Sequence, residues 1–202
     1  EQNRIVDKLH SNNSCAEKKR PCQRHNDFTL CDNNDDTCVG INIYTRISPN
    51  RQPVESYIAE VFKKCHNAKL VSFMPDIFGL SEEKNQLSAA VGICKVGRQS
   101  AFIEQYFDYP IEHIVSNIAE QPVQRPRLVE VGNLAVTNAG NARKLIAFLV
   151  YYLNERGFHW AVCTAASSVR AALRRTDIEY QLIQQADPQK LGGNHRLWGN
   201  YY

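Results

Sequence analysis

The sequence predicts an α/β domain, a mixed twisted sheet flanked by helices, preceded by a polar N-terminal arm. Three observations carry this. Strand-like and helix-like stretches alternate from residue 128 to residue 185, the pattern of a βαβ unit with parallel neighbours. A glycine-containing turn, Thr137-Asn-Ala-Gly-Asn141, joins the first of those strands to a long apolar helix that ends at Gly157, a good C-terminal cap. Polar residues crowd residues 1–38, whereas residues 39–202 hold nearly all the sustained hydrophobic periodicity.

Taken in order, Val39 to Arg46 alternates as a strand, and Pro53 to Asn67 places Val54, Tyr57, Ile58, Val61 and Phe62 at helical spacing. Leu70 to Leu80 and Ala89 to Val96 are apolar runs about the charged stretch 81–85, which suggests a hairpin. Phe102 to Glu120 is helical in pattern, with Pro110 ending one helix or opening the next. Leu128 to Val136 reads as a strand, Ala142 to Arg156 as a helix, His159 to Thr164 as a strand, Ser167 to Arg175 as a helix and Tyr180 to Gln185 as a strand. The stretch Leu145 to Leu153 is apolar nearly all round, so its helix is expected between the sheet and another layer.

Composition narrows the function. The chain has 202 residues, 43% apolar and 22% charged, with 24 basic against 21 acidic groups. A net charge of +3 is too small to predict nucleic-acid binding from field strength. Nine apolar residues, 145–153, form the longest unbroken run, about half of a bilayer crossing. Glu1-Gln-Asn-Arg4 lacks the basic-then-apolar pattern of a signal peptide. Residues 1–38 carry few large apolar side chains and read as an arm or adapter, net −1, beside a +4 domain. Cys15, Cys22, Cys31 and Cys38 in that arm repeat as C-x6-C, x8, C-x6-C. Such gaps do not preorganise a metal, so no metal is expected, and free thiols or a disulfide pair both remain open. Seven cysteines, an odd total, with Cys65, Cys94 and Cys163 in apolar stretches, favour a reducing, cytoplasmic setting. Cys163 reads as a buried structural cysteine, since His159 is too far along an extended strand to activate it.

The turn after residue 136 is the first candidate site. A strand feeding a helix N-terminus presents free backbone N–H groups and the positive end of the helix dipole, which suits a phosphate or carboxylate. Val136, Asn138, Ala139, Gly140, Asn141 and Ala142 are small or polar enough for close approach, and Arg143 adds a cation in the first turn. The plainer alternative is that Gly140 lets the chain reverse and Asn141 caps the helix.

Four residues carry the candidate chemistry. Glu130, on the strand face of Leu128 and Leu134, would have a raised pKa among apolar neighbours and suits a general base; it could equally pair with Arg125 or Arg127. Asn133, on the other face with Val131 and Ala135, must find partners, either backbone at a splayed strand or a substrate. Glu104 and Tyr106, with Asp108 and Glu112, form an acidic patch fit for an amine acceptor or a solvated helix face. Tyr109, Tyr201 and Tyr202 could each protonate a leaving thiolate or serve only in packing.

The element order resembles the GNAT acyltransferase fold, in which the turn after the fourth strand cradles the pyrophosphate of an acyl-CoA. In Asn138-Ala-Gly-Asn-Ala-Arg143, Gly140 and Ala142 occupy the small positions of that turn, while Thr137 stands where Gln or Arg is usual. More specifically, Phe102 to Glu112, Leu128-Val-Glu-Val-Gly-Asn-Leu-Ala135 and Trp198-Gly-Asn-Tyr-Tyr202 resemble the thermostable hemolysin family, from about residue 40 to the end. That resemblance implies a fold related to acyltransferases and acyl-homoserine-lactone synthases. It further implies an enzyme moving a fatty acyl group from a thioester donor, acyl-CoA or acyl-carrier protein, to a small amine. No tightly bound cofactor and no nucleic acid are expected; membrane contact is left open, with no spanning segment expected. The competing expectation is a directly membrane-active protein without catalysis.

Overall fold

The computed structural model describes residues 3–8, 22–24, 27–32, 35–82, 86–176 and 178–202, and side chains from residues 27–30 and 39 onward. Nine strands form one mixed sheet. They are β1 (Asn3–Lys8), β2 (Cys22–Arg24), β3 (Asp27–Asp32), β4 (Asp35–Tyr44), β5 (Asp76–Ser81), β6 (Leu87–Lys95), β7 (Leu128–Val136), β8 (Trp160–Ala165) and β9 (Tyr180–Gln185). Their order is β2-β3-β4-β5-β6-β7-β8-β1-β9. Among the described strands only β7 and β8 pair in parallel, joined by the expected helical crossover.

Four α-helices are described: α1 (Arg51–His66), α2 (Ile111–Ala119), α3 (Ala139–Glu155) and α4 (Ser167–Arg174). Short 3-10 segments at 102–106, 125–127 and 188–198 complete the fold. Pro110 is the N-cap of α2 and separates it from the 3-10 turn 102–106, as its missing N–H and fixed φ require.

The alternation of each strand builds two faces. Ala89, Val91 and Ile93 of β6 and Val129 of β7 meet α3 through Leu145, Phe148 and Leu149. Phe148 sits between Phe28 of β3 and Phe78 of β5, with ring centroids 4.9 and 5.9 Å away. On the opposite face, Val54, Ile58 and Phe62 of α1 cover Ala90 and Ala135. Beside them Leu128, Trp160 and Val162 are covered by Ile103, Tyr106, Ile111 and Val115. Trp198 and Tyr202 pack against both of these clusters. The apolar girth of α3 is thus explained by the sheet beneath it, where Phe148 and Tyr152 of the helix pack against Phe28 and Phe78.

Three expectations need correction. The first strand of the hairpin begins at Asp76 rather than Leu70. Residues 67–75 instead form an irregular loop, because Arg51 donates to the carbonyls of Met74 (2.6 Å), Pro75 (2.6 Å) and Tyr44 (3.1 Å), which holds that backbone away from a ladder. β9 does not join β8 directly; β1 lies between them, antiparallel to both. The N-terminal segment, expected as an arm with little to bury, enters the sheet as β1, between β8 and the edge strand β9, and as β2 and β3 at the opposite edge. Backbone pairing needs no large side chains, so a polar composition did not announce these strands. Cys15 lies outside the described residues, as do the side chains of Cys22, Cys31 and Cys38, and so does the choice between thiols and a disulfide.

Candidate functional site

β7 departs from regular alternation. Against β6, Ala90 pairs with Ala135 and Gly92 with Gly132, so Asn133 and Leu134 together oppose Val91. This is a β-bulge, and Asn133 takes its left-handed position with φ 52°, a conformation Asn tolerates better than most residues. The bulge reverses the expected facing: Leu134 packs on the α3 side with Val129 and Val131, while Ala135 lies beneath α1. The grouping of Glu130 with Leu134, and of Asn133 with Val131 and Ala135, is therefore broken at this point.

The bulge coincides with a parting of strands. β7 pairs with β8 from Leu128↔Trp160 to Val131↔Cys163 and no further, although β7 runs on to Val136. Beyond the last pair, the Thr164 carbonyl of β8 accepts from the Tyr201 hydroxyl at 3.1 Å. Burial raises the Tyr201 pKa, so the phenol stays protonated at neutral pH. Cys163, half-buried rather than fully buried, stands at the final pair.

Next to that opening, Gly92 and Gly132 face each other and form a seat for Met74. A Cβ on either glycine would come within 2.5 Å of Met74 side-chain carbons. The Met74 N–H donates to Asn133 Oδ1 at 2.8 Å and its carbonyl is held by Arg51, so the loop is fixed at both ends of one residue. Asn133 thus bonds backbone at a splayed strand, one of the two roles expected for it. The seat was missed in the sequence, though two glycines inside strands beside the chain's single methionine were a signal for close approach.

Glu130 is 3% exposed. Its Oε2 accepts from the Phe102 N–H and its Oε1 from the Ile103 N–H, both at 2.8 Å. Burial pushes its pKa up to about 7 against the lowering effect of the two donors. Glu130 therefore ties the sheet to the 102–106 turn and pairs with neither Arg125 nor Arg127. Arg127 donates to the Gly157 carbonyl instead.

Glu104 and Arg125 form a separate, saturated cluster. Glu104 receives Arg125 Nη1 at 2.7 Å and Nη2 at 2.8 Å, plus the N–H groups of Ala101 (2.6 Å) and Ile111 (2.9 Å). Arg125 completes its five donors on Glu112 and the carbonyls of Gly97 and Gln99. The Arg125 guanidinium holds the Glu104 carboxyl well down, to about 2. Glu104 and Glu112 are thus neither an open acidic patch nor a solvated helix face; they anchor the start of α2. Tyr106 is fully buried, with its hydroxyl against that of Tyr202 and its carbonyl accepting from Gln184 and Lys190. Asp108, by contrast, is exposed and pairs at 3.5 Å with Lys190.

The turn leads from Val136 into α3. Asn138 is the N-cap and its Oδ1 accepts from the Asn141 N–H at 2.8 Å. The capping residue is thus Asn138, while Asn141 is buried and donates its amide to Glu82 at 2.6 Å. Gly140 has an ordinary negative φ, and a Cβ there would approach Asn138 Oδ1 at 3.4 Å. Ala139 and Arg143 are exposed at the helix start, and Ala142 is buried beneath it. No group of His, Cys, Asp and Glu able to hold a metal ion occurs among the described residues.

The structure therefore gathers Asn133, Val136 and residues 138–143 along one path, from the parted strands to the N-terminus of α3. Glu130 lies at the paired base of that path, while Glu104 and Tyr106 support the wall beside it. No curated protein and no solved structure matches the chain. The family model of the thermostable hemolysins matches residues 44–202, from the last residue of β4 through the terminal tyrosines, a start four residues later than the sequence resemblance implied. With well over half of its length matched, the chain belongs to the thermostable hemolysin family.

Proposed function

We propose that this chain is an acyltransferase that moves an acyl group from a thioester donor, acyl-CoA or acyl-carrier protein, to a small amine. The observation that carries the reading is the end of β7–β8 pairing at Val131 and Cys163 while β7 continues straight into the N-terminus of α3. A parted pair of parallel strands leaves backbone N–H groups unladdered, and those can polarise a thioester carbonyl. The amides of Ala139 and Gly140 and the Arg143 guanidinium meet the phosphates of the donor, where the helix dipole favours negative charge. The GNAT-like element order supports the same assignment.

In this reaction the amine nitrogen attacks the thioester carbon, the C–S bond breaks and the thiolate takes a proton as the amine loses one. Glu130 is the carboxylate with the proton affinity for that exchange, since burial places it near neutrality. Glu104 is held ionised by Arg125 and is a poor base, so its part is to fix the wall. Asn133 shapes the opening, and Tyr106 supports Tyr202 across the wall.

Purified chain is incubated with acetyl-, octanoyl- and palmitoyl-CoA and with acyl-carrier protein, and free thiol release with an amine panel is followed beside thermal shift. Thiol release that requires an amine, and falls at least tenfold in Arg143→Glu, supports the reading. Absence of both thermal shift and thiol release with every donor refutes it, and a shift with S-adenosylmethionine alone would redirect it to another donor. Liposome lysis by donor-free protein would assign lysis to direct membrane action; no helix is long and apolar enough to cross a membrane among the described residues.

A further inference from the structure

Positive charge is concentrated at one end of α1. Residues 61–75 and 188–202 together carry Lys63, Lys64, Lys69, Lys190 and Arg196 and no Asp or Glu. Five cations exceed the +3 of the whole chain, so the remainder is net acidic. The two segments meet in space: the Lys69 N–H donates to the Leu197 carbonyl at 2.6 Å and the Asn200 N–H to the His66 carbonyl at 2.9 Å. Gly199 makes the junction possible, because a Cβ there would overlap the carbonyls of His66 and Asn67.

Lys190 is engaged by Asp108, but Lys63, Lys64, Lys69 and Arg196 are exposed and enter no ion pair among the described residues. Lys69 lines a groove with Leu70, Val71, Phe102, Leu197 and Trp198, while Arg196 adjoins Leu197 in sequence and Lys63 and Lys64 stand in the last turn of α1. Val71 is 68% and Phe102 39% exposed, so the groove presents two large apolar side chains to solvent.

We propose that this basic collar and its apolar groove form a docking surface for an anionic lipid bilayer. The cations meet phosphate headgroups, while Val71 and the Phe102–Trp198 edge enter the headgroup boundary, the division of labour of an interfacial anchor. Charge complementarity selects the occupant: an apolar protein partner would not need a lysine in a lining without Asp or Glu, and a soluble anion would not need exposed Val71. The surface lies apart from the α3 turn and does not depend on the acyl-transfer reading.

The intact chain is sedimented with vesicles of phosphatidylcholine alone and of phosphatidylcholine mixed with phosphatidylglycerol. Binding is expected to the mixed vesicles, to weaken as salt rises, and to shift the emission of Trp198, the less buried of the two tryptophans. At roughly fivefold per cation, the loss of three cations in K63E/K64E/K69E alone lowers partitioning by about 100-fold, and the three carboxylates put in their place lower it further. Val71→Ser leaves every charge in place and weakens binding several-fold. Equal binding to both vesicle types, or a triple variant that sediments like the parent, overturns the proposal. Salt-sensitive binding that leaves Trp198 emission and Val71→Ser unchanged also overturns it, in favour of a soluble-anion site. Should the triple variant lose its thermal transition, the salt series and Val71→Ser decide on folded protein.

Discussion

Replacing Glu130 by Gln separates the two forces acting on that carboxyl. Its folded pKa of about 7 lies above the ordinary 4.5, so the folded state binds a proton more tightly than the unfolded state between those values. The resulting stabilisation is complete below about pH 4.5 and is lost as pH rises through 7. A difference of this size corresponds to about 3 kcal/mol, an order-of-magnitude figure at 1.36 kcal/mol per unit. Gln cannot titrate, and its amide turns a donor toward one of the two backbone N–H groups, a loss of roughly 1–3 kcal/mol.

Urea unfolding of parent and E130Q at pH 5 and pH 8 measures the balance. The variant is expected to be less stable than the parent at pH 5 and equal or more stable at pH 8. A stability difference that stays flat across that range would refute a titrating Glu130. A difference that grows with pH would show that the N–H donors of Phe102 and Ile103 outweigh burial, which reverses the sign of the argument.

Glu104 should behave oppositely. Its pKa is held near 2, so its stabilisation is present above about pH 4.5 and is lost as pH falls through 2. E104Q should cost about 3 kcal/mol at pH 7 and flatten the acid limb of the stability profile, read by thermal melts from pH 7 to pH 2. At Asn133, Ala loses both the Met74 hydrogen bond and the residue's tolerance of positive φ, whereas Gly loses only the bond. Asn133→Ala should therefore be less stable than Asn133→Gly by about 1 kcal/mol in denaturant titration, and a reversed order would argue against a backbone role for the bulge.

Much of the fold was legible because it rests on local pattern. Leu128–Val136 and Tyr180–Gln185 match their expected bounds residue for residue, and Pro110 divides the 102–119 stretch as its chemistry requires. The strand-to-helix turn was legible as well, though the cap proved to be Asn138. What escaped were pairings across long sequence separations. Arg125 reaches Glu104 across 21 residues, and Asn133 reaches Met74 across 59. Neither periodicity nor composition encodes which distant carboxylate a guanidinium will meet. Glu130 shows both limits at once: its raised proton affinity follows from apolar neighbours in sequence, but its partners, two N–H groups 27 and 28 residues away, do not.

The bulge explains why site and core are inseparable here. An unbroken β7 would alternate from Leu128 to Val136 and present Leu134, not Ala135, beneath α1. The extra residue turns the larger side chain toward α3 and leaves alanine under Val54 and Ile58, where α1 can approach. The same turn directs Asn133 Oδ1 to Met74, which then covers Gly92 and Gly132 at the height where β7 leaves β8. Opening the strands and packing α1 are thus two consequences of one inserted residue. A variant that restored regular alternation would close the candidate site and overpack the core together, so loss of function there would have to be read beside stability.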